Sequence, residues 1–427
     1  MKCLRADSLK AAFRAAVFFL CFCFWFASPS QTICTLSKES RAWFGRLQLN
    51  DSIDLDFNFR LSSEEQKPKV IIYNADEIIS SGEVVPANDS IGLKMPVFDT
   101  ELRFVFINKD SISGFWVNHS GKAKRELKFS GGQRSIQPYP DALNSKFTGK
   151  WEVDFNPGSV HDVYKAIGLF RNSDCLGRIY GTFCTETGDY RFLSGRSYEK
   201  NKDTIMKLSC FDGAHAYVFT CKLLSGKLVD GHFYAGAHGH EFWAGKRNDR
   251  FELRNEDSIT FLKPGFDRLD FNFPNLDNQQ VSLADEKYKG KVVILQIMGS
   301  WCPNCMDETK FFSGFYKLNR GKGLEVIALA YERTGDLEKA KANVQRLKKR
   351  FDCEYDFLIA GTTSDKAEAA KTLPALKELN CFPTTVYVDK NGKVRKISSG
   401  FNGPATGEYY EKFVAETNAF VEKLLRE

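Results

Sequence analysis

The chain has no internal repeat of about 20–50 residues and no low-complexity tract, which excludes solenoids and compositionally disordered proteins. It also has no long block of like charge. The net charge of +6 over 427 residues is small, so nucleic-acid binding has little support. The apolar run at 15–27 has only 13 residues, short of the roughly 20 that a spanning helix needs. Histidine is scarce: there are six, and none in 248–427. What is present in ordinary amounts, 43% hydrophobic and 27% charged residues, describes globular protein. A chain of this length allows two to four domains. Phenylalanine, at 37 residues, is about twice its usual share. That excess predicts much β structure, because aromatic side chains favour strands and bury large areas.

The first thirty residues read as a secretory signal peptide. Lys2, Arg5, Lys10 and Arg14 precede the apolar run, with only Asp7 opposing them, and Ser28 and Ser30 follow it. A lipid anchor needs a small residue before a cysteine, whereas Cys21, Cys23 and Cys34 follow Leu20, Phe22 and Ile33. An uncleaved leader is the remaining route to membrane association. Cleavage near Ser30 lowers the charge to +3 and removes Cys3, Cys21 and Cys23 from the twelve cysteines. The odd number that remains leaves at least one thiol unpaired or bonded to another molecule, in a compartment that permits disulfides.

The mature chain divides into three. Residues 31–147 read as a β-rich domain of short strands, with alternation at 52–61 and 102–107. Residues 148–260 read as an antiparallel barrel. Its eight expected strands are 151–156, 165–171, 177–185, 189–197, 204–211, 214–222, 227–235 and 241–246, with turn signals between them such as Asp212-Gly213 and Ser225-Gly226. Gly149-Lys150-Trp151 at its start resembles the G-x-W signature of lipocalins; the other reading is a buried Trp on a strand. From 265 to 427 strands alternate with helices. The apolar stretch 292–298 reads as a strand buried on both faces. Helices are expected at 302–318, 337–351, 364–379 and 410–424, and a hairpin at 384–398 surrounds Lys390-Asn391-Gly392. This order is thioredoxin-like.

The chemistry centres on Trp301-Cys302-Pro303-Asn304-Cys305, at a strand-to-helix junction. There, unpaired N–H groups and the helix dipole favour a thiolate on Cys302, which should have a lowered pKa and the greater exposure. Cys305 lies on the same helix face, and Pro303 suits the first turn. The expected step is exchange: Cys302 attacks a disulfide and Cys305 resolves the mixed disulfide. Half of a zinc site is the competing reading, but the chain has no second C-x-x-C and the last third no histidine.

The stretches K-V-V-I-L-Q-I-M-G-S-W-C-P-N-C-M-D-E-T at 291–309 and F-P-T-T-V-Y-V-D-K-N-G-K-V at 382–394 resemble TlpA/ResA-type extracytoplasmic thiol–disulfide oxidoreductases. The whole is similar to larger exported members of Bacteroidota type. The resemblance implies a thioredoxin fold in the periplasm or cell envelope, with a Cys302–Cys305 redox disulfide and no other cofactor or metal. It implies disulfide-containing exported proteins as partners, apocytochrome c among them, and an upstream membrane thiol reductant. It places a cis-proline at Pro383, exposing the Phe382 backbone to a substrate strand, with Trp301, Pro303, Asn304 and Thr384 beside it. Glu308 matches the last position of C-x-x-C-x-x-E and is cast in proton exchange; its other reading is a favourable charge at the helix start. One departure stands out. Thioredoxins carry a buried Asp six residues before the first Cys, where this chain has Gln296, which cannot take a proton.

Peroxidase activity is not expected, because 292–301 lacks the threonine of P-x-x-x-T-x-x-C. His232, His238, His240 and Glu241 form a Gly/His-rich cluster that reads as a metal site or, more simply, as a solvated barrel rim. Cys175 with Cys184 and Cys210 with Cys221 read as cross-strand disulfides or as buried thiols. Cys353 with Cys381 is a further pairing, and Cys34 has no assigned partner. Two other functions compete with exchange: an envelope binding protein whose front half recruits a partner or hydrophobic ligand, and a structural protein with a degenerate redox domain.

Overall fold

A computed structural model describes residues 41–64, 67–87, 90–120, 125–133, 141–172 and 178–427. The expected leader, Cys34 and Cys175 lie outside them. Among the described residues no helix is long and apolar enough to cross a membrane.

Between Arg41 and Gln133 the chain forms a nine-stranded antiparallel sheet. Alternation builds its buried face: Leu55, Phe57 and Phe59 on Asp54–Glu64 are buried while Asp56 and Arg60 are exposed. The first strand, Arg41–Gln48, lies between Asp54–Glu64 and Arg125–Gln133. Phe57, Phe59, Phe104 and Phe129 form its core with Phe211 and Val218 of the next body, and the Phe57 and Phe211 rings are 4.8 Å apart. Sheet and barrel thus share one hydrophobic layer.

The barrel has eight strands: Gly149–Phe155, Tyr164–Asn172, Ile179–Thr185, Leu193–Lys200, Asp203–Phe211, Ala216–Leu224, Lys227–Ala235 and Gly239–Arg247. Gly239–Arg247 pairs back with Gly149–Phe155 and closes it. Trp151 is fully buried. Its Nε1–H donates to the Phe147 carbonyl at 2.7 Å, and the Arg247 guanidinium lies 4.4 Å above its ring. The interior is filled by rings: Phe183 and Phe219 stack at 4.6 Å, Phe219 and Phe233 at 4.3 Å, and Phe155 and Tyr164 at 4.7 Å. A hydrophobic ligand inside would have to displace this packing.

One expected strand differs. Instead of 189–197, Gly188–Asp189 folds back on Cys184 and Thr185, and the next strand starts at Leu193. Gly188 has φ +130° and Arg191 φ +58°, so the chain doubles back where a glycine permits it. Cys184, Cys210 and Cys221 are free and buried. Tyr217 stands opposite Cys210 and Met206 opposite Cys221, which keeps that pair out of register.

The last body is a five-stranded sheet in the order Asp356–Gly361, Leu324–Tyr331, Val292–Met298, Thr384–Val388, Val394–Ser399. The first three strands are parallel and the last two antiparallel. Every residue of Val292–Met298 is buried, as its unbroken apolar run requires. Helices Pro303–Asn319, Leu337–Arg350 and Glu408–Arg426 pack on it. The helix expected at 364–379 stops at Lys371. Pro374 cannot donate to a helix and disfavours helical backbone before it, and Ala375 and Lys377 bond to Lys263 and Phe261 instead.

Arg191 ties the three bodies together. Its side chain is wholly buried. Nη1 donates to the Pro303 carbonyl at 3.0 Å and to Asp307 Oδ2 at 2.6 Å. Nη2 pairs with Glu77 of the first sheet, and Asp212 is 3.9 Å from Nε. Nearby, Asp189 Oδ1 accepts the Gly403 N–H at 2.7 Å. A buried guanidinium among carboxylates becomes costly when one side is removed. Arg191→Met should therefore destabilise the full chain by about 3–5 kcal/mol. Chemical denaturation would measure this, and an unchanged midpoint would show that the clasp is not structural.

Candidate functional site

The C-x-x-C stands where the helix Pro303–Asn319 begins, directly after the buried strand Val292–Met298 and a short loop. Cys302 is the N-cap, its Sγ accepting the Cys305 N–H at 3.3 Å, and Pro303 occupies the first turn. Cys302 is 5% exposed and Cys305 not at all. Burial, then the neighbouring Cys302, pushes the Cys305 thiol well up. The loop before Cys302 is pinned: Ser300 donates through N and Oγ to Glu332 at 2.8 and 2.7 Å, and Trp301 Nε1–H donates to the Tyr331 carbonyl at 2.8 Å.

Across from the thiols, the Phe382–Pro383 bond is cis. The Cys302 thiol donates to the Phe382 carbonyl at 3.5 Å, and the Trp301 and Phe382 rings meet edge-on at 5.6 Å. Cys302, Trp301, Phe382 and Pro383 are thus brought together. Three other expected residues are engaged elsewhere. The Thr384 side chain is wholly buried and donates to the Cys381 carbonyl at 3.0 Å. The Asn304 side chain packs against Gly188 of the barrel, where a Cβ would come within 1.8 Å of its Nδ2. The Pro303 carbonyl is taken by Arg191.

Beneath the pair lies a buried polar group that sequence spacing had only partly assembled. Glu308 is 1% exposed. Its Oε1 accepts from Thr385 Oγ1 at 2.7 Å and its Oε2 from Gln296 Nε2 at 2.8 Å. Gln296 Nε2 also reaches the Cys305 carbonyl at 3.4 Å, and its Oε1 accepts from Thr309 at 3.2 Å. Burial lifts the Glu308 carboxyl, the bonds from Thr385 and Gln296 pull it back, and it settles at about 7. The amide at 296 therefore orients a carboxyl one helix turn beyond Cys305 that can take or give a proton near neutral pH. Asp307, facing the barrel, is also lifted to about 7; burial raises it most, Arg191 opposes this, and Glu77 and Asp189 add to it.

Sequence reading missed Arg191, Thr385 and Arg333. Thr385 was within reach, since it lies two residues after Pro383 on a strand paired with the one that carries Gln296. Arg333 follows the end of Leu324–Tyr331, and carboxyl ends of parallel strands collect functional groups. Cys353 and Cys381 are free and buried. His232 and His240 touch at 3.0 Å on the barrel surface, while Glu241 accepts from Tyr164 at 2.7 Å. Among the described residues no group of three metal-ligating side chains forms.

Residues 264–412 match the Redoxin family model. The chain is 30% identical over 141 residues to the thiol-disulfide oxidoreductase ResA of Geobacillus thermodenitrificans, covering 33% of this chain and 72% of that protein. It is 24% identical over 139 residues to ResA of Bacillus subtilis, covering 33% and 69%. Among solved structures, a thiol:disulfide interchange protein of the thioredoxin family from Chlorobium tepidum TLS is 19% identical with a TM-score of 0.28, covering 37% of this chain and 95% of its own. A thiol-disulfide oxidoreductase from Bacteroides fragilis NCTC 9343 is 16% identical with a TM-score of 0.26, covering 35% and 99%.

The Glu308 carboxyl has a consequence for stability. Its folded pKa lies above the ordinary value of 4.5, so between about 4.5 and 7 the folded state holds a proton that the unfolded state has lost. Stability then falls as pH rises through that window. Glu308→Gln should gain on the parent by roughly 3 kcal/mol from acid to neutral pH. Parallel denaturation series of the two would show this, and a constant difference would refute the assignment.

Proposed function

The chain belongs to the ResA family of thiol–disulfide oxidoreductases, and from that premise we infer that it reduces disulfides of exported proteins through Cys302 and Cys305. The observation that carries this reading is the buried Glu308 carboxyl, held by Gln296 and Thr385 under a cysteine pair whose N-terminal member meets the Phe382 carbonyl.

In the reducing direction, the Cys302 thiolate attacks one sulfur of the substrate disulfide. A Cys302–substrate disulfide forms and the first substrate thiolate leaves, taking a proton from water. Cys305 gives its proton to the Glu308 carboxylate, and its thiolate attacks Cys302 Sγ. The Cys302–Cys305 disulfide forms and the second substrate thiolate departs, protonated by Glu308. Two electrons and two protons pass to the substrate. A dithiol donor, proposed to sit at the membrane, returns the pair to its reduced form. Pro383 and the Phe382 backbone offer an edge on which an extended substrate segment docks. The basic start and 13-residue apolar run at 15–27 support export to the periplasm or cell envelope. Apocytochrome c is one substrate that fits this reading.

Cys302→Ser should abolish reduction of a model disulfide, and Cys305→Ser should accumulate mixed disulfides whose proteins identify the substrates. Retained turnover in Cys302→Ser would end the proposal. Glu308→Gln should slow the resolving step about 10²-fold and remove the ionisation near neutral pH from its pH–rate profile. An unaltered profile would assign the proton to another group.

A further inference from the structure

The exchange reading leaves open what chemistry the substrate carries; the inference that follows rests on that reading. The three bodies meet in a cleft of about 1010 Å³, and Ser300 and Trp301, immediately before Cys302, contribute to its lining. That volume suits a small organic molecule or a few residues of extended chain. Flanking the thiols, the barrel closes off the other approach, with Asn304 against Gly188 and Gly403 bonded to Asp189.

The charges in this cleft are unbalanced. Its acids are all engaged: Asp99 pairs with Lys339 at 3.7 Å and with Arg346 at 3.5 Å. Glu332 is buried and accepts from Ser300 and Asn343, and Glu126 also has a partner. Its two arginines are not. Among the described residues, neither the Arg125 nor the Arg333 side chain forms an ion pair, although the neighbouring Glu332 carboxylate acts on Arg333 from a distance. The Arg333 guanidinium lies 3.6 Å from the Trp301 ring centroid, a stacking that fixes its plane beside the residue preceding Cys302. Burial lowers the Arg333 pKa; Cys302 and Tyr217 raise it, Arg125 lowers it again, and Glu332 raises it least. Two cations facing one space repel each other, and a bound anion relieves that repulsion.

We propose that this cleft admits the disulfide substrate and that Arg333, with Arg125 opposite, binds a carboxylate carried next to the sulfur that Cys302 attacks. Arg333 is then a specificity-determining residue, and the preferred substrates are acidic disulfides. The guanidinium fork matches a carboxylate in a way that a lysine ammonium does not. The source is a free small disulfide or an extended acidic segment of a protein, since both present the same chemistry.

The test uses the reduced full chain and stopped-flow rates near neutral pH. The probes are dithiobis(nitrobenzoate), which carries carboxylates, and dithiodipyridine, which is uncharged. Arg333→Gln should slow the first about tenfold more than the second, a discrimination of about 1.4 kcal/mol. Arg333→Lys should recover part of it, and added salt should narrow the parent's preference. Equal slowing of both probes would overturn the proposal, because Arg333 would then act on the thiol or the fold. If the parent reduces neither probe, the exchange reading falls and this inference with it; if it reduces both but Arg333→Gln leaves their ratio unchanged, only this inference falls. Oxidised glutathione and an Asp-flanked cysteine-peptide disulfide separate the sources. Dependence on Arg333 with either supports the proposal and names the source; dependence with neither overturns it.

Discussion

A single buried cation organises this molecule. Arg191 has no exposure to water, and its neighbours come from all three bodies: Glu77 from the first sheet, Asp212 from the barrel, and Pro303 and Asp307 from the helix that carries the cysteines. Such a group is stable only while its partners stay in place, since a lone guanidinium in a dry interior is far costlier than one in water. The geometry at the start of the cysteine helix is therefore a property of the docked assembly. The barrel takes part in the site although it supplies no thiol to it.

The second constraint is the replacement of an ionisable group by an amide. Gln296 lies on the central strand, fully buried, and has no proton to exchange with a thiol. Its amide instead donates to Glu308 and reaches the Cys305 carbonyl. The titrating function has moved from strand to helix, and the amide keeps the carboxyl aimed. Burial without a countercharge then brings that carboxyl into the neutral range.

The sequence disclosed those features that periodicity and local chemistry control. The seven-residue apolar strand, the N-terminal position of Cys302 and the eight-strand meander all follow from patterns a few residues long. Where it failed, long-range contacts or a single backbone exception decided. The segment 189–197 fits the strand-and-turn spacing of its neighbours, yet Gly188 turns the chain and Arg191 enters a left-handed conformation. That misread segment contains the residue on which the interdomain contact depends. The helix expected at 364–379 runs past Pro374, which ends helical backbone there. Arg333 had only its place after the end of a parallel strand as a local signal, because its meaning comes from the barrel and the first sheet lying across from it.

The ring-filled barrel has a mechanical consequence. Phe155, Phe183, Phe219 and Phe233 interlock through edge and face contacts, and so dense an interior transmits force without deforming. With its interior filled, the barrel stands beside Cys302 as a firm wall, fastened to the start of the cysteine helix through the Arg191 contacts.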